Sequence, residues 1–307
     1  MNEHPASSPQ TQPHAGDLFL TALQTRWDNY LRQLKTCRAE FSETAVHDLR
    51  VASRRLLAVL DVARALEPHP RIQKVRGALK GQIDSLDELR DVQVMRARIS
   101  QTIERLPELK PFQTYLAKRE KRLLEQARKQ IRAMKPSELK KRMEKIRAAL
   151  DALAQAEYFL ESLLSVVDNI YLRARQNYVQ VDAAQASTVH RLRLTFKKFR
   201  YTVEIIHPLL PEYPNTYLAR MHDYQSRMGD IQDVETFLNA VADFADTAST
   251  FDLEPVRHFF ETRRSELLAA FLEDKGELLT FWRATPDQPF PWETNHDPVP
   301  HPTRHRG

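Results

Sequence analysis

Val46-His47-Asp48-Leu49-Arg50-Val51-Ala52-Ser53-Arg54-Arg55-Leu56 comes back 143 residues later as Val189-His190-Arg191-Leu192-Arg193-Leu194-Thr195-Phe196-Lys197-Lys198-Phe199. In each copy a histidine leads, an arginine stands three residues on, and a basic pair stands seven and eight residues on. The apolar positions correspond too, Leu49 with Leu192 and Leu56 with Phe199. At about 100° per residue, His47, Arg50 and Arg54 share one side of a helix, with Arg55 at its margin. Leu49, Ala52, Leu56 and Leu60 fall on the other side. In the second copy His190, Arg193, Lys197, Arg200 and Tyr201 share one side, with Lys198 at the margin. Leu192, Thr195, Phe196, Phe199, Val203 and Ile206 share the other. Each segment therefore predicts an amphipathic helix that buries one face and presents a stripe of positive charge.

A weaker echo follows each basic segment at the same distance. Leu86-Asp87-Glu88-Leu89-Arg90-Asp91-Val92 aligns with Met228-Gly229-Asp230-Ile231-Gln232-Asp233-Val234. Around these segments the helical period runs almost without break. It predicts helices at about 17–39, 43–66, 71–105, 108–134, 136–180, 186–209, 214–247 and 251–275, some of them broken in two. Prolines at 68, 70, 107, 111, 136, 208, 211, 214 and 255 punctuate them, because proline interrupts an interior ladder. No segment alternates long enough to make a strand. The expected architecture is all-α: two helical bundles related by an internal repeat, a half at 17–150 and a half at 151–283. Residues 1–16 and 284–307 are polar or rich in Pro and His and read as disordered tails.

Composition supports helices over sheets, with only 6 glycines in 307 residues. The net charge is +5 because 46 Lys and Arg face 41 Asp and Glu, so the placing of charge matters more than its sum. Cys37 is the single cysteine, which excludes a disulfide framework within the chain. No apolar run approaches the ~20 residues of a membrane helix, and the first residues have no apolar signal core. The expectation is a cytoplasmic protein with no membrane partner.

Lysine and arginine are common on solvated helix faces, and that is the bland account of either stripe. Against it, the arrangement recurs, a histidine leads both copies, and the cations are not interleaved with acids at i,i+4. Like charges stacked on one face repel unless an anion neutralises them. Arginine offers a planar fork to two phosphate oxygens, and lysine a mobile point charge. A row of such groups suits a ligand whose negative charge repeats along its length. On this reading the cationic neighbours depress the pKa of both His47 and His190. Alanine in place of Arg50 and Arg54, or of Arg193 and Lys197, is expected to leave stability unchanged or higher. A further basic face, Lys118, Arg122, Lys129 and Arg132, is weaker as a site because Glu125 lies within it.

The two segments resemble the CHAD family, helical domains named for their histidines and associated with inorganic polyphosphate. The resemblance rests on His47-x-x-Arg50-Val51-x-x-Arg54-Arg55-Leu56, on His190-x-x-Arg193-x-x-x-Lys197-Lys198-Phe199-Arg200-Tyr201-x-x-Glu204, and on Met228-Gly229-x-x-x-Asp233. It covers about residues 17–283. It implies two bundles about a pseudo-twofold axis, long helices around a central basic groove, and polyphosphate binding without catalysis, metal or cofactor. It also implies residence on polyphosphate granules as one possible role. Carried across, the phosphate contacts are His47, Arg50, Arg54, Arg55, His190, Arg193, Lys197, Lys198, Arg200 and Tyr201. The chain departs from the pattern at Leu57, where a basic residue is usual, at Asp87 in place of glycine, and at Gln232 in place of arginine.

Two other function classes compete. The dipeptides His47-Asp48 and His222-Asp223 are of a kind that metal phosphohydrolases use, but Arg50 and Arg54 beside His47 would repel a divalent cation. There is no HExxH, CxxC or Gly-rich phosphate loop. Nucleic acid would meet similar electrostatics, but apart from Tyr201 the stripes carry no aromatic to stack on bases. Polyphosphate is the expected partner.

Overall fold

The structure is a computed structural model that describes residues 14–210, 212–248 and 251–294. These residues hold helices and turns and no strand. The long helices are α1 (Ala15–Glu40), α2 (Glu43–Leu66), α3 (Pro70–Thr102), α4 (Lys110–Ala133), α5 (Pro136–Ala154), α6 (Phe159–Val179), α7 (Ala186–Ile206), α8 (Asn215–Ala245) and α9 (Glu254–Asp274). The helical period covered all of them, with α5 and α6 read as the one stretch 136–180, and proline stands in the first turn of α3, α4, α5 and α9, where its missing N–H costs nothing.

The stretch 136–180 is two helices, not one. Chain direction changes at 155–158, in Gln155-Ala156-Glu157-Tyr158, with no proline or glycine to announce it. Packing imposes the break: α5 lies on α1 and α3, whereas α6 must lie on α7. The end of α5 is pinned by Gly16. A Cβ there would stand 1.9 Å from the Ala154 carbonyl oxygen, so only glycine lets the start of α1 approach so closely. Residue 150, expected to end the first half, lies inside α5, and the seam in the helical run falls after Ala154.

Packing is serial and has the same order on both sides of this seam. α1 packs on α2, α2 on α3 and α3 on α4; α6 packs on α7, α7 on α8 and α8 on α9. Across the seam α2 meets α7 and α3 meets α8. One continuous apolar core results. Leu49, Ala52, Leu56 and Leu60 of α2 and Leu192, Phe196, Phe199 and Val203 of α7 are all essentially fully buried, as the helical wheel requires. The basic faces of α2 and α7 are thereby fixed by what lies beneath them.

The start of α2 is set locally. Phe41 takes a left-handed backbone conformation (φ 45°) that ends α1, and the Ser42 hydroxyl accepts a hydrogen bond from Ala45 N–H at 3.2 Å. Gln185 before α7 makes no such side-chain cap. Ser42→Ala is expected to lower stability by about 1 kcal/mol. Chemical denaturation, read as a shift of midpoint with unchanged slope, checks this.

The tail assignment from residue 284 is corrected over 284–294. Phe290 and Trp292 are buried, stack on each other with ring centres 4.6 Å apart, and close on Trp282 and Tyr213. Asp168 of α6 anchors the approach: it accepts from Trp282 Nε1 at 2.7 Å and from Arg283 Nη2 at 2.7 Å. A Pro- and His-rich composition hid two aromatic residues that had a surface to cover. Residues 1–13 and 295–307 of the expected tails lie outside the described residues.

Candidate functional site

Because α2 packs on α7, cations of the two stripes come within one another's influence. They are Arg50 and Arg54 of α2, and Arg193 and Lys197 of α7. Lys197 shows how close they come. Burial, then Arg54 and Arg193, push its pKa down to about 7; Asp87 opposes this and Arg50 adds to it. The Arg193 guanidinium is likewise held below its ordinary value by burial and by Arg54, while Asp233 and Asp91 pull the other way. Residues 143 positions apart in the chain thus share one electrostatic environment.

The site is not uniformly basic. Asp87 of α3 binds both first-half arginines. It accepts from Arg50 Nη2 at 2.6 Å and from Arg54 Nη2 at 2.8 and 2.7 Å. The arginine side chains are 11% and 23% exposed and that of Asp87 35%. These contacts hold the Asp87 carboxyl below its usual value against the opposing effect of burial. Asp91 and Asp233 stand behind the cations. Burial and then Asp87 raise the Asp91 pKa, with Arg50 opposing. The sequence showed Asp87 as a departure and did not show its partner.

In the second half Asp233 acts on Arg193 without forming an ion pair. Among the described residues Arg193 makes no ion pair, and its Nε is buried without a hydrogen-bond partner. His190 is half-buried and its Nδ1 also has no partner. Burial lowers the His190 pKa, as do Arg193 and Lys197, with a hydrogen bond to Gln232 opposing. The depression expected from the stripe is therefore present at His190, with burial as the first cause.

His47 is placed differently. It is exposed, on a cleft of about 460 Å³ that it lines with Thr44, Arg50, Arg90 and Gln93. Arg90 was not among the expected contacts. Its place next to Asp91 in the repeated echo was the available signal.

The assignment of Arg200 to the phosphate face is corrected. Arg200 is buried at 8% exposure, ion-paired to Glu204, and donates to Gln225 Oε1 at 3.0 Å. Its guanidinium lies 4.5 Å from the centre of the Tyr201 ring, so Tyr201 packs against a structural cation. Arg55 is exposed and reaches Glu204 at 3.9 Å, and Lys198 is exposed. The residues brought together are Arg50, Arg54, Arg193 and Lys197, with His190 beside them. Among the described residues no group of three or more His, Cys, Asp or Glu is arranged to hold a metal ion. No helix of the described residues is long and apolar enough to cross a membrane.

The described residues are thus all-α, with four cations of the two stripes drawn together where α2 meets α7. The chain belongs to the CHAD family: the family model, described as CHAD domain, matches residues 21–242. Solved structures agree on the fold. The CHAD domain from the plant Ricinus communis superposes with a TM-score of 0.67 at 18% identity, covering 91% of this chain and 96% of that one. PptA from Streptomyces chartreusis superposes with a TM-score of 0.53, also at 18% identity, covering 86% and 95%. A search of curated proteins found no match.

Proposed function

We propose that this protein binds inorganic polyphosphate, without catalysing its turnover, in the cleft between α2 and α7, and that the two bundles present that cleft about a pseudo-twofold axis. One observation carries the reading. Arg193 and Lys197 are a half-buried cationic pair that makes no ion pair among the described residues, next to Arg54. Such a pair is costly in the free protein, and a dense anion that enters the cleft repays the cost. Family membership supports the same ligand class. Residence on polyphosphate granules in the cytoplasm would follow from that affinity.

Binding to size-fractionated polyphosphate at rising salt tests this. Phosphates that displace counterions along the cleft make log K fall roughly linearly with log[salt]. Affinity that does not change with salt would exclude an electrostatic groove. DNA at matched phosphate concentration should compete poorly, since Tyr201, the aromatic residue of the stripes, already packs against Arg200. Release of orthophosphate on incubation with divalent metals would overturn the non-catalytic part.

A further inference from the structure

Asp87 and Gly229 hold corresponding places in the two echoes, as Arg50 and Arg193 do in the two stripes. The same arginine therefore meets opposite surroundings in the two halves. Arg50 gives Nε and Nη2 to Asp87, at 3.2 and 2.6 Å. Arg193 passes α8 where a Cβ on Gly229 would lie 3.6 Å from its Nε, and that Nε is buried without a partner. A carboxylate presents its two oxygens to a guanidinium much as a phosphate does. Asp87 thus engages the donors of Arg50 and Arg54 that a phosphate would use. It also relieves the repulsion between these two arginines, which stand one turn apart on α2.

We propose that Asp87 is an internal competitor for the phosphate chain, which seats first on Arg193 and Lys197 and gains Arg50 and Arg54 only by displacing the Asp87 carboxylate. This rests on the polyphosphate reading above. It makes the two halves unequal: the second is the entry subsite, and the first engages only when the gain exceeds the ion pairs it replaces. Affinity and chain-length preference are then set by a residue that itself repels the ligand.

The test compares Asp87→Asn, Asp87→Gly and Gly229→Asp with the unchanged protein, using polyphosphates of defined length. Asp87→Asn keeps the side chain's shape and guards against a helix weakened by glycine; circular dichroism melts check that each variant is folded. Asp87→Asn is expected to tighten binding of long chains by about tenfold, the effect of ~1.4 kcal/mol. Its plot of log K against log[salt] should steepen by about 0.7 for each phosphate newly engaged. The gain should shrink for chains of only a few phosphates, which the second half already holds. Gly229→Asp should weaken binding by about tenfold, because it gives Arg193 the partner that Arg50 already has. If the unchanged protein binds and Asp87→Asn binds equally or more weakly with the same salt slope, Asp87 is a structural residue and the polyphosphate reading stands. If the unchanged protein, Asp87→Asn and Asp87→Gly all fail to bind, both readings fall.

Discussion

Replacing Arg193 and Lys197 together by alanine is expected to lower polyphosphate affinity by at least ~100-fold. Each charge-assisted contact is worth about 1.5–3 kcal/mol where solvent is excluded, and every ~1.4 kcal/mol is tenfold. The same variant should melt at an equal or higher temperature. Both cations are desolvated, both are crowded by Arg54, and neither makes an ion pair among the described residues. Their removal takes repulsion out of the free protein. The first half behaves otherwise, and the expectation of unchanged stability does not extend to it. Arg50→Ala with Arg54→Ala strips Asp87 of both its partners. A partly buried carboxylate left alone destabilises, here by about 1 kcal/mol once its exposure is allowed for. Calorimetric binding and thermal melts of the two double variants check both statements. A collapse of helicity in the Arg193/Lys197 variant would assign those residues to the fold.

Polyphosphate binding is expected to take up protons near neutral pH, with Lys197 as the main acceptor. In the free protein its pKa is about 7, pushed down by burial and by Arg54 and Arg193. Bound phosphates supply opposite charge and raise it toward an ordinary lysine value. The bound form then holds more protons than the free form between those two values. Affinity should fall as pH rises from about 7 toward 10, by up to tenfold per pH unit where the two forms differ by one proton. Below about 7 Lys197 is charged in both forms and contributes no slope. His190, whose pKa is also lowered in the free protein, takes up its proton at lower pH than Lys197. Folding stability carries the reverse sign. The folded-state pKa lies below the unfolded one, so the penalty is complete below about 7 and fades as pH rises toward the lysine value. Titration calorimetry at pH 8 in buffers of different ionisation enthalpy measures the proton count. Lys197→Arg keeps the charge at every such pH and should abolish the uptake. Uptake that persists in Lys197→Arg and disappears in His47→Ala/His190→Ala would return the role to the histidines.

That shift from histidine to lysine shows what a sequence withholds. A histidine titrates near neutral pH unaided, so it draws attention; Lys197 does so only after α7 packs on α2 and removes it from water. The sequence did determine the helices, because the period of apolar residues and the prolines that begin and end them are local properties. It determined the two stripes for the same reason: with Leu49 and Leu192 buried, Arg50 and Arg193 must lie toward the other side. It carried the family in two motifs of the right order. What it could not determine depends on distances between helices. Arg200 stands on the basic side of the wheel, yet Glu204 and Gln225 draw it inward, and a wheel does not contain Gln225 of α8. Asp87 lies 37 residues from Arg50 and 33 from Arg54, and only the contact of α3 with α2 makes them an ion pair. Phe290 and Trp292 sit in a stretch too rich in proline to read as core, and they are buried because Trp282 and Tyr213 offer them a surface. Local periodicity sets which face of each helix meets solvent; tertiary packing alone decides which solvent-side charges are left with an unanswered neighbour.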